Sequence, residues 1–340
     1  MTLRRIIIPA SRQRGLALIT AMLVVAIAAT TAAYLAFDQQ LWLRQSENLS
    51  DRAQADVVRA GAMEWAVTIL AKDARDSKSD DLTEDWAKDL PPLAVEGGQV
   101  VGKIRDAQGK FNINNLMREG KPSPPDIGAF RHLLESLDLN PDLTDAVLDW
   151  IDADSDTRAA GAEDVDYLIL QTPYRTANQP LQSVEELRLV RGFTKAIVDK
   201  LRPLVTALPQ PTGTNINTAD KKVLAALFYT LPTSAIDTLD KDRPYTDQAV
   251  LATKLQQIAA GANLPPAFYG IQSSYFEIEI TTLFGRYQRS TEALIKRGAG
   301  DTGFRTLWLS QRLPYPPVEA DKDSGENAEM ASNGNMPSGQ

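Results

Sequence analysis

Leu16 to Phe37, "LALITAMLVVAIAATTAAYLAF", contains no charged residue. At 1.5 Å per residue this run makes about 33 Å of helix, enough to cross a hydrocarbon layer of about 30 Å. Before it stands "MTLRRIIIPASRQRG", with four arginines and no acid. That basic flank predicts residues 1–15 on the cytoplasmic side and the bulk of the chain exported. An ordinary secretory signal fits poorly, because the apolar run is long and no clean small-residue cleavage site follows it. From Asp38 to Ala74 there is no proline and a single glycine, Gly61. Leu41, Leu49, Ala53, Val57, Trp65 and Ile69 recur at helical spacing. The membrane segment therefore runs on into an amphipathic helix, one element about 85 Å long. Such a helix is built to pack against copies or relatives of itself, with Leu49, Val57 and Trp65 as its partner face.

The rest of the 340-residue chain narrows the function classes. A formal charge of −8 argues against phosphate-backbone binding by the whole protein. Cysteine is absent, which excludes disulfides and thiol chemistry. The lone histidine, His132, lies in "FRHLLESLDL" and reads as a helix-surface residue. A histidine-based triad or multi-histidine zinc site is thereby excluded. There is no phosphate loop and no nucleophile elbow, so the chain does not read as an enzyme.

Organisation follows from pattern. "QVVGKIRDAQGKFNIN" and "SSYFEIEITTLFGRYQRSTEALIKR" alternate as strands, the second with Gly285 at a turn, and "GFRTLWLSQRL" makes a last strand. Between them lie helical patterns at 125–137, 141–151, 183–190, 194–204 and 219–229. Ser183 with Glu186 reads as a capping box. The fold class is α+β: a long N-terminal transmembrane and amphipathic helix, an antiparallel sheet, and an inserted α-helical domain. The expected boundaries are 1–15 for the basic leader, 16–37 for the membrane helix and 38–74 for its continuation. The sheet domain takes 75–115 and 271–313, the insertion 116–270, and a disordered tail 314–340. "NIN" occurs twice, at Asn112–Asn114 and Asn215–Asn217, a weak internal echo.

"DWIDADSDTRAAGAEDVDYL", Asp149 to Leu168, holds seven acids and one base, Arg158. Asp152, Asp154, Asp156 and Glu163 fall at positions 1, 3, 5 and 12 of a calcium-loop spacing, with the Arg158 carbonyl at position 7. Position 6 is Thr157, where that loop normally needs glycine; Gly161 offers another turn. Asp164 and Asp166 are further oxygen donors. Crowded carboxylates repel one another, which favours a hard cation, calcium. The alternative is a solvated acidic loop with no ion.

"RQRG" followed by "LALITAMLVV" resembles the class III signal of type IV pilins and type II secretion pseudopilins. "GKFNINNL", "VLDWIDADSD", "GAEDVDYL", "PYRTANQPLQSVEELRLVRGF" and "TNINTAD" resemble the K component of those pseudopilins. The likeness spans roughly Arg12 to Thr218. It implies a pilin-like sheet domain and cleavage by prepilin peptidase between Gly15 and Leu16, which would take the net charge from −8 to −12. Members of that family usually carry glutamate at the fifth mature position; this chain has Thr20, as the K component is known to lack it. The resemblance further implies a single-pass inner-membrane protein with a periplasmic domain, which binds calcium and caps the tip of the pseudopilus. Its implied partners are the I and J components, H, the major pseudopilin and secreted substrate proteins, with no nucleic acid. A competing reading is a membrane-anchored nucleic-acid binder. "SVEELRLVRGFTKAIVDKLRPL" resembles a helix-hairpin-helix whose turn is Arg191–Gly192–Phe193, a motif that binds phosphate through hairpin amides.

Overall fold

The computed structural model describes residues 14–89, 91–258, 266–298 and 303–312. The expected tail at 314–340 and most of the leader lie outside the described residues.

Helix α1 spans Arg14–Asp76, 63 residues without a break, or about 95 Å at the standard rise. Leu16 to Ser50 is exposed all round. It is also the one helix among the described residues long and apolar enough to cross a membrane. Further along, the helix docks on its own sheet. The face it uses runs through Ala55, Ala66 and Leu70, with Val58, Ala62 and Ile69 beside it. Small alanines let the helix axis approach the strands closely. Of the predicted stripe, Ile69 thus joins the internal core, whereas Leu49, Val57 and Trp65 face solvent.

Strands β1 (Leu93–Val95) and β2 (Gly98–Asp106) form a hairpin around Gly97, whose φ of +78° suits glycine. The chain then leaves the sheet. In the insertion, β3 (Phe111–Asn112) runs parallel to β6 (Val205–Thr206), and β7 (Thr214–Asn215) parallel to β8 (Tyr269–Gly270). Between them β4 (Met117–Arg118) pairs with β5 (Lys121–Pro122). The sheet resumes with β9 (Tyr275–Phe284), β10 (Tyr287–Arg297) and β11 (Phe304–Arg312). Its order is β1-β2-β9-β10-β11, antiparallel throughout. The insertion therefore leaves at Asp106 and returns at Tyr275 between two adjacent strands. Phe276, Ile278 and Ile280 of β9 point into the core under α1, as their alternation predicts. At the β9–β10 turn Gly285 has φ +49°, and a Cβ there would lie 2.2 Å from Asp51 Oδ2 of α1.

The insertion has its own core and seven helices among the described residues: α2 (Pro124–Glu135), α3 (Leu143–Ile151), α4 (Asp164–Leu168), α5 (Lys195–Leu201), α6 (Lys221–Leu227), α7 (Thr233–Lys241) and α8 (Gln248–Ile258). Of these, α4, α7 and α8 extend the helical set beyond the pattern read from sequence. Ser183 makes no capping bond; Glu186 instead accepts from the Gln182 N–H and the Trp150 indole. The two "NIN" segments are equivalent in geometry. In each, the first asparagine's Oδ1 accepts the N–H of the second. The second asparagine then clamps one distant backbone at both ends. Asn114 accepts from Leu181 N–H and donates to Leu181 O; Asn217 does the same with Tyr245.

Candidate functional site

The acidic run is not a simple solvated loop. Its frame is α3, whose apolar residues Val147, Leu148 and Ile151 are buried and whose carboxylate Asp149 is wholly buried beside them. A buried carboxylate needs partners. Asp149 Oδ1 takes the Arg158 guanidinium at 2.5 Å and Oδ2 takes the Arg158 N–H at 3.1 Å. Asp152 Oδ2 shares the same guanidinium at 2.6 Å. Gly161 lies against Asp149 so closely that a Cβ would fall 1.8 Å from Oδ2. Its role is close approach, not an unusual φ.

Three carboxylates meet beyond this arginine. Asp152, Asp154 and Glu163 each offer an oxygen, all within 4.8 Å of one another. Asp152 and Glu163 are 3% exposed. Asp152 Oδ1 and both oxygens of Glu163 have no hydrogen-bond partner. Burial, then the charges of Asp149, Asp152 and Asp154, push Glu163 up to about 7. Burial also raises Asp152, although Arg158 opposes it. Orphaned, buried, mutually repelling carboxylate oxygens are a donor set for a hard cation. Arg158 cannot fill that role, since its guanidinium is already spent on Asp149 and Asp152. Calcium thus fits the residues present. Asp152, Asp154 and Glu163 would hold it, and it would supply charge neutralisation and a clip between α3 and α4.

The other predicted donors sit elsewhere. Asp156 is exposed, and its N–H donates to Asp154 Oδ1. The Arg158 carbonyl accepts the Gly161 N–H at 3.0 Å. Asp164 is held below its ordinary range, first by the Thr176 hydroxyl and N–H, then by Arg175. Asp166 accepts the Glu163 N–H and contacts Arg191. Where no helix was expected after Glu163, the short α4 begins with Glu163 as its N-cap. Sequence reasoning counted Asp149 as one acid of seven and missed that it anchors the site; its place on the apolar face of α3 was the available signal.

Two of the three amides of the hairpin Arg191–Gly192–Phe193 are already engaged. The Arg191 N–H donates to Tyr167 Oη and the Phe193 N–H to Val190 O. The acids of the adjoining loop would repel a polyanion. The nucleic-acid reading is not supported.

A second acidic group, unseen in the sequence, joins α1 to the sheet. Asp73, Asp80 and Glu84 lie equally close together. Arg297 at the end of β10 reaches Asp73 at 3.1 Å and Asp80 at 2.9 Å.

Comparison with known proteins gives the setting. Residues 109–210 match the family model for type II secretion system (T2SS) protein K. Type II secretion system protein K of Pseudomonas aeruginosa is 33% identical over 300 residues, covering 84% of this chain and 89% of the relative. The Klebsiella pneumoniae protein of the same name is 36% identical over 232 residues, 64% of this chain and 71% of the relative. A chain in the crystal structure of the GspK–GspI–GspJ complex from enterotoxigenic Escherichia coli superposes with a TM-score of 0.68. It is 25% identical, and the match covers 79% of this chain and all of that one. Sequence likeness over most of both chains and a shared fold agree: the chain belongs to the type II secretion system protein K family.

Proposed function

We propose that this chain is the minor pseudopilin that caps the tip of a type II secretion pseudopilus and initiates its assembly, for export of folded proteins across the outer membrane. The observation that carries the reading is the form of α1: exposed all round from Leu16 to Ser50, then fixed to a sheet that bears the large insertion. An apolar helix with no covering in its own chain needs a bilayer and then other helices. The chain anchors in the inner membrane by residues 16–37 and presents its folded bulk to the periplasm. Prepilin peptidase cuts between Gly15 and Leu16. Leu49, Val57 and Trp65 then pack on the I and J components below, with H and the major pseudopilin further down the fibre. The insertion stands where a further subunit would have to stack, and Thr20 brings no carboxylate to seek a predecessor's amine. Calcium at Asp152, Asp154 and Glu163 stiffens the insertion; the role is structural, with no catalytic residue.

Labelling the protein in assembled fibres tests this. One label per fibre, at an end, is expected, and label spaced along the fibre would overturn it. N-terminal sequencing should find Leu16 first, and a Gly15 variant with a bulky side chain should accumulate uncut.

A further inference from the structure

Helix α4 turns only one large apolar residue inward. Tyr167 is buried against Trp150, ring centroids 5.3 Å apart, and against Tyr174 at 5.2 Å. Val165 and Ile169, one helical turn apart, are 76% and 80% exposed, and Leu168 and Leu170 are also exposed. Single exposed apolar residues need no explanation, but four within six positions form a patch. The patch is held firmly. Asp164 takes Thr176 and Arg175, Asp166 takes Arg191 and the Glu163 N–H, and Tyr167 Oη takes the Arg191 N–H. A backbone pinned in this way loses little freedom on binding.

Charge decides what fits. At the surface Asp154, Asp156, Asp164 and Asp166 face the guanidiniums of Arg175 and Arg191, while Asp149, Asp152 and Glu163 lie buried beneath with Arg158. One divalent cation still leaves the region two charges negative, and without the cation it is more so. A second copy of the chain would bring the same negative face, and an anionic membrane would be repelled. We infer that Val165, Leu168 and Ile169 form a docking surface for a segment of another protein that carries large apolar side chains flanked by lysine or arginine. The cation of the proposed function only orders the start of α4 in this scheme; the surface does not depend on it.

The test uses the full chain in nanodiscs of zwitterionic lipid, titrated with a fluorescent amphipathic peptide of leucine and lysine. Val165→Asp with Ile169→Asp, at exposed positions, should weaken the peptide at least tenfold while melting and its response to calcium stay unchanged. A leucine–glutamate counterpart should bind at least tenfold more weakly than the lysine peptide, and added salt should weaken binding. Unchanged affinity in the double variant, or equal binding of the glutamate peptide, would overturn the inference. So would binding of phosphatidylglycerol vesicles that the double variant loses, since that assigns the patch to a membrane. A wild-type protein indifferent to calcium that still binds the lysine peptide through Val165 and Ile169 would sink the ion reading and support the surface.

Discussion

Two carboxylate triads of this molecule have nearly the same spacing and different partners. Asp152, Asp154 and Glu163 converge in the insertion; Asp73, Asp80 and Glu84 converge where α1 meets the sheet. Each holds a carboxyl group pushed up to about 7, Glu163 in one and Asp73 in the other, with burial as the first cause. The difference lies in what already satisfies the oxygens. In the second triad Arg297 bridges Asp73 and Asp80. Asp80 Oδ2 also accepts the Ser273 N–H, and Glu84 Oε2 accepts the Asp81 N–H and the Trp86 indole. In the first, the one arginine is shared between Asp149 and Asp152, and three buried oxygens lack a hydrogen-bond partner; in the second only Asp80 Oδ1 lacks one, and Arg297 lies 2.9 Å from it. Clustered acids alone do not make a cation site; unsatisfied oxygens are what make the first triad the candidate.

The largest effect should come from removing Arg297. Its side chain and those of Asp73 and Asp80 are 15%, 12% and 1% exposed. Stripping the counter-charge from a buried pair costs about 3–5 kcal/mol. Arg297→Met keeps the stem over the Phe276 ring, where the guanidinium now sits 4.7 Å from the centroid. The variant should melt far below wild type, and calcium should recover part of the loss, because the second triad would then resemble the first. Thermal melts with calcium and with EDTA decide it. A variant as low in calcium as in EDTA would mean that Arg297 is not what separates the two triads.

Calcium should come next. At a hundredfold excess over Kd, an ion bound only to the folded state adds about 2.7 kcal/mol. That corresponds to about 5–10 °C in a domain of this size. Glu163→Gln should abolish the step. In EDTA near neutral pH the Gln variant should melt no lower than wild type, because the orphaned charge is gone. A wild-type melt unmoved by millimolar calcium would return the acidic run to the status of a solvated loop.

These two triads also show what a sequence can and cannot display. Asp152, Asp154 and Glu163 fall within twelve residues, so their spacing alone announced them. Asp73 and Arg297 are 224 positions apart, and only the docking of α1 on the sheet brings them together. The strands were legible for the same local reason: Phe276, Ile278 and Ile280 alternate with polar neighbours. The repeated "NIN" was visible, but not the clamps on Leu181 and Tyr245 that give it meaning. Helix α4 was illegible because five residues with two aspartates show no period. Glu186 misled because its spacing from Ser183 imitates a cap, whereas Trp150, 36 residues earlier, takes the carboxylate.

Gly161→Ala probes the anchoring of the first triad without touching a ligand. The new Cβ cannot coexist with Asp149 Oδ2, and the carboxylate must move off Arg158. Overpacking of this kind costs about 1–3 kcal/mol. The loss should appear in both calcium and EDTA, and apparent calcium affinity should fall as Arg158 is freed to compete for Asp152. Among the glycines described none crowds the second triad in this way, so its pairing with Arg297 should be unaffected. Full stability with unchanged calcium titration would show that Asp149 does not hold the site together.

The smallest effect is in pH, and its dependence on calcium separates the triads. Asp73 titrates near 7 in the fold, against an ordinary value of 3.8. Burial is the first cause, followed by the charges of Glu84 and Asp80, with Arg297 opposing. A raised carboxyl binds its proton more tightly folded than unfolded. Its stabilising share is therefore complete below about 3.8 and is lost as pH climbs through about 7. Glu163 adds a slope of the same sign only without the ion, because calcium holds the carboxylate charged. Melting temperature should fall between pH 4 and about 7 in EDTA, and less steeply in calcium. Asp73→Asn, which keeps the neutral form, should remove the upper part of the slope that calcium does not affect. Below about 6 some slope should persist, because the buried Asp106 titrates near that value. Glu163→Gln should instead erase the gap between the calcium and EDTA profiles. If Asp73→Asn closed that gap and Glu163→Gln did not, the cation would belong to the second triad, and the roles assigned to the two clusters would be exchanged.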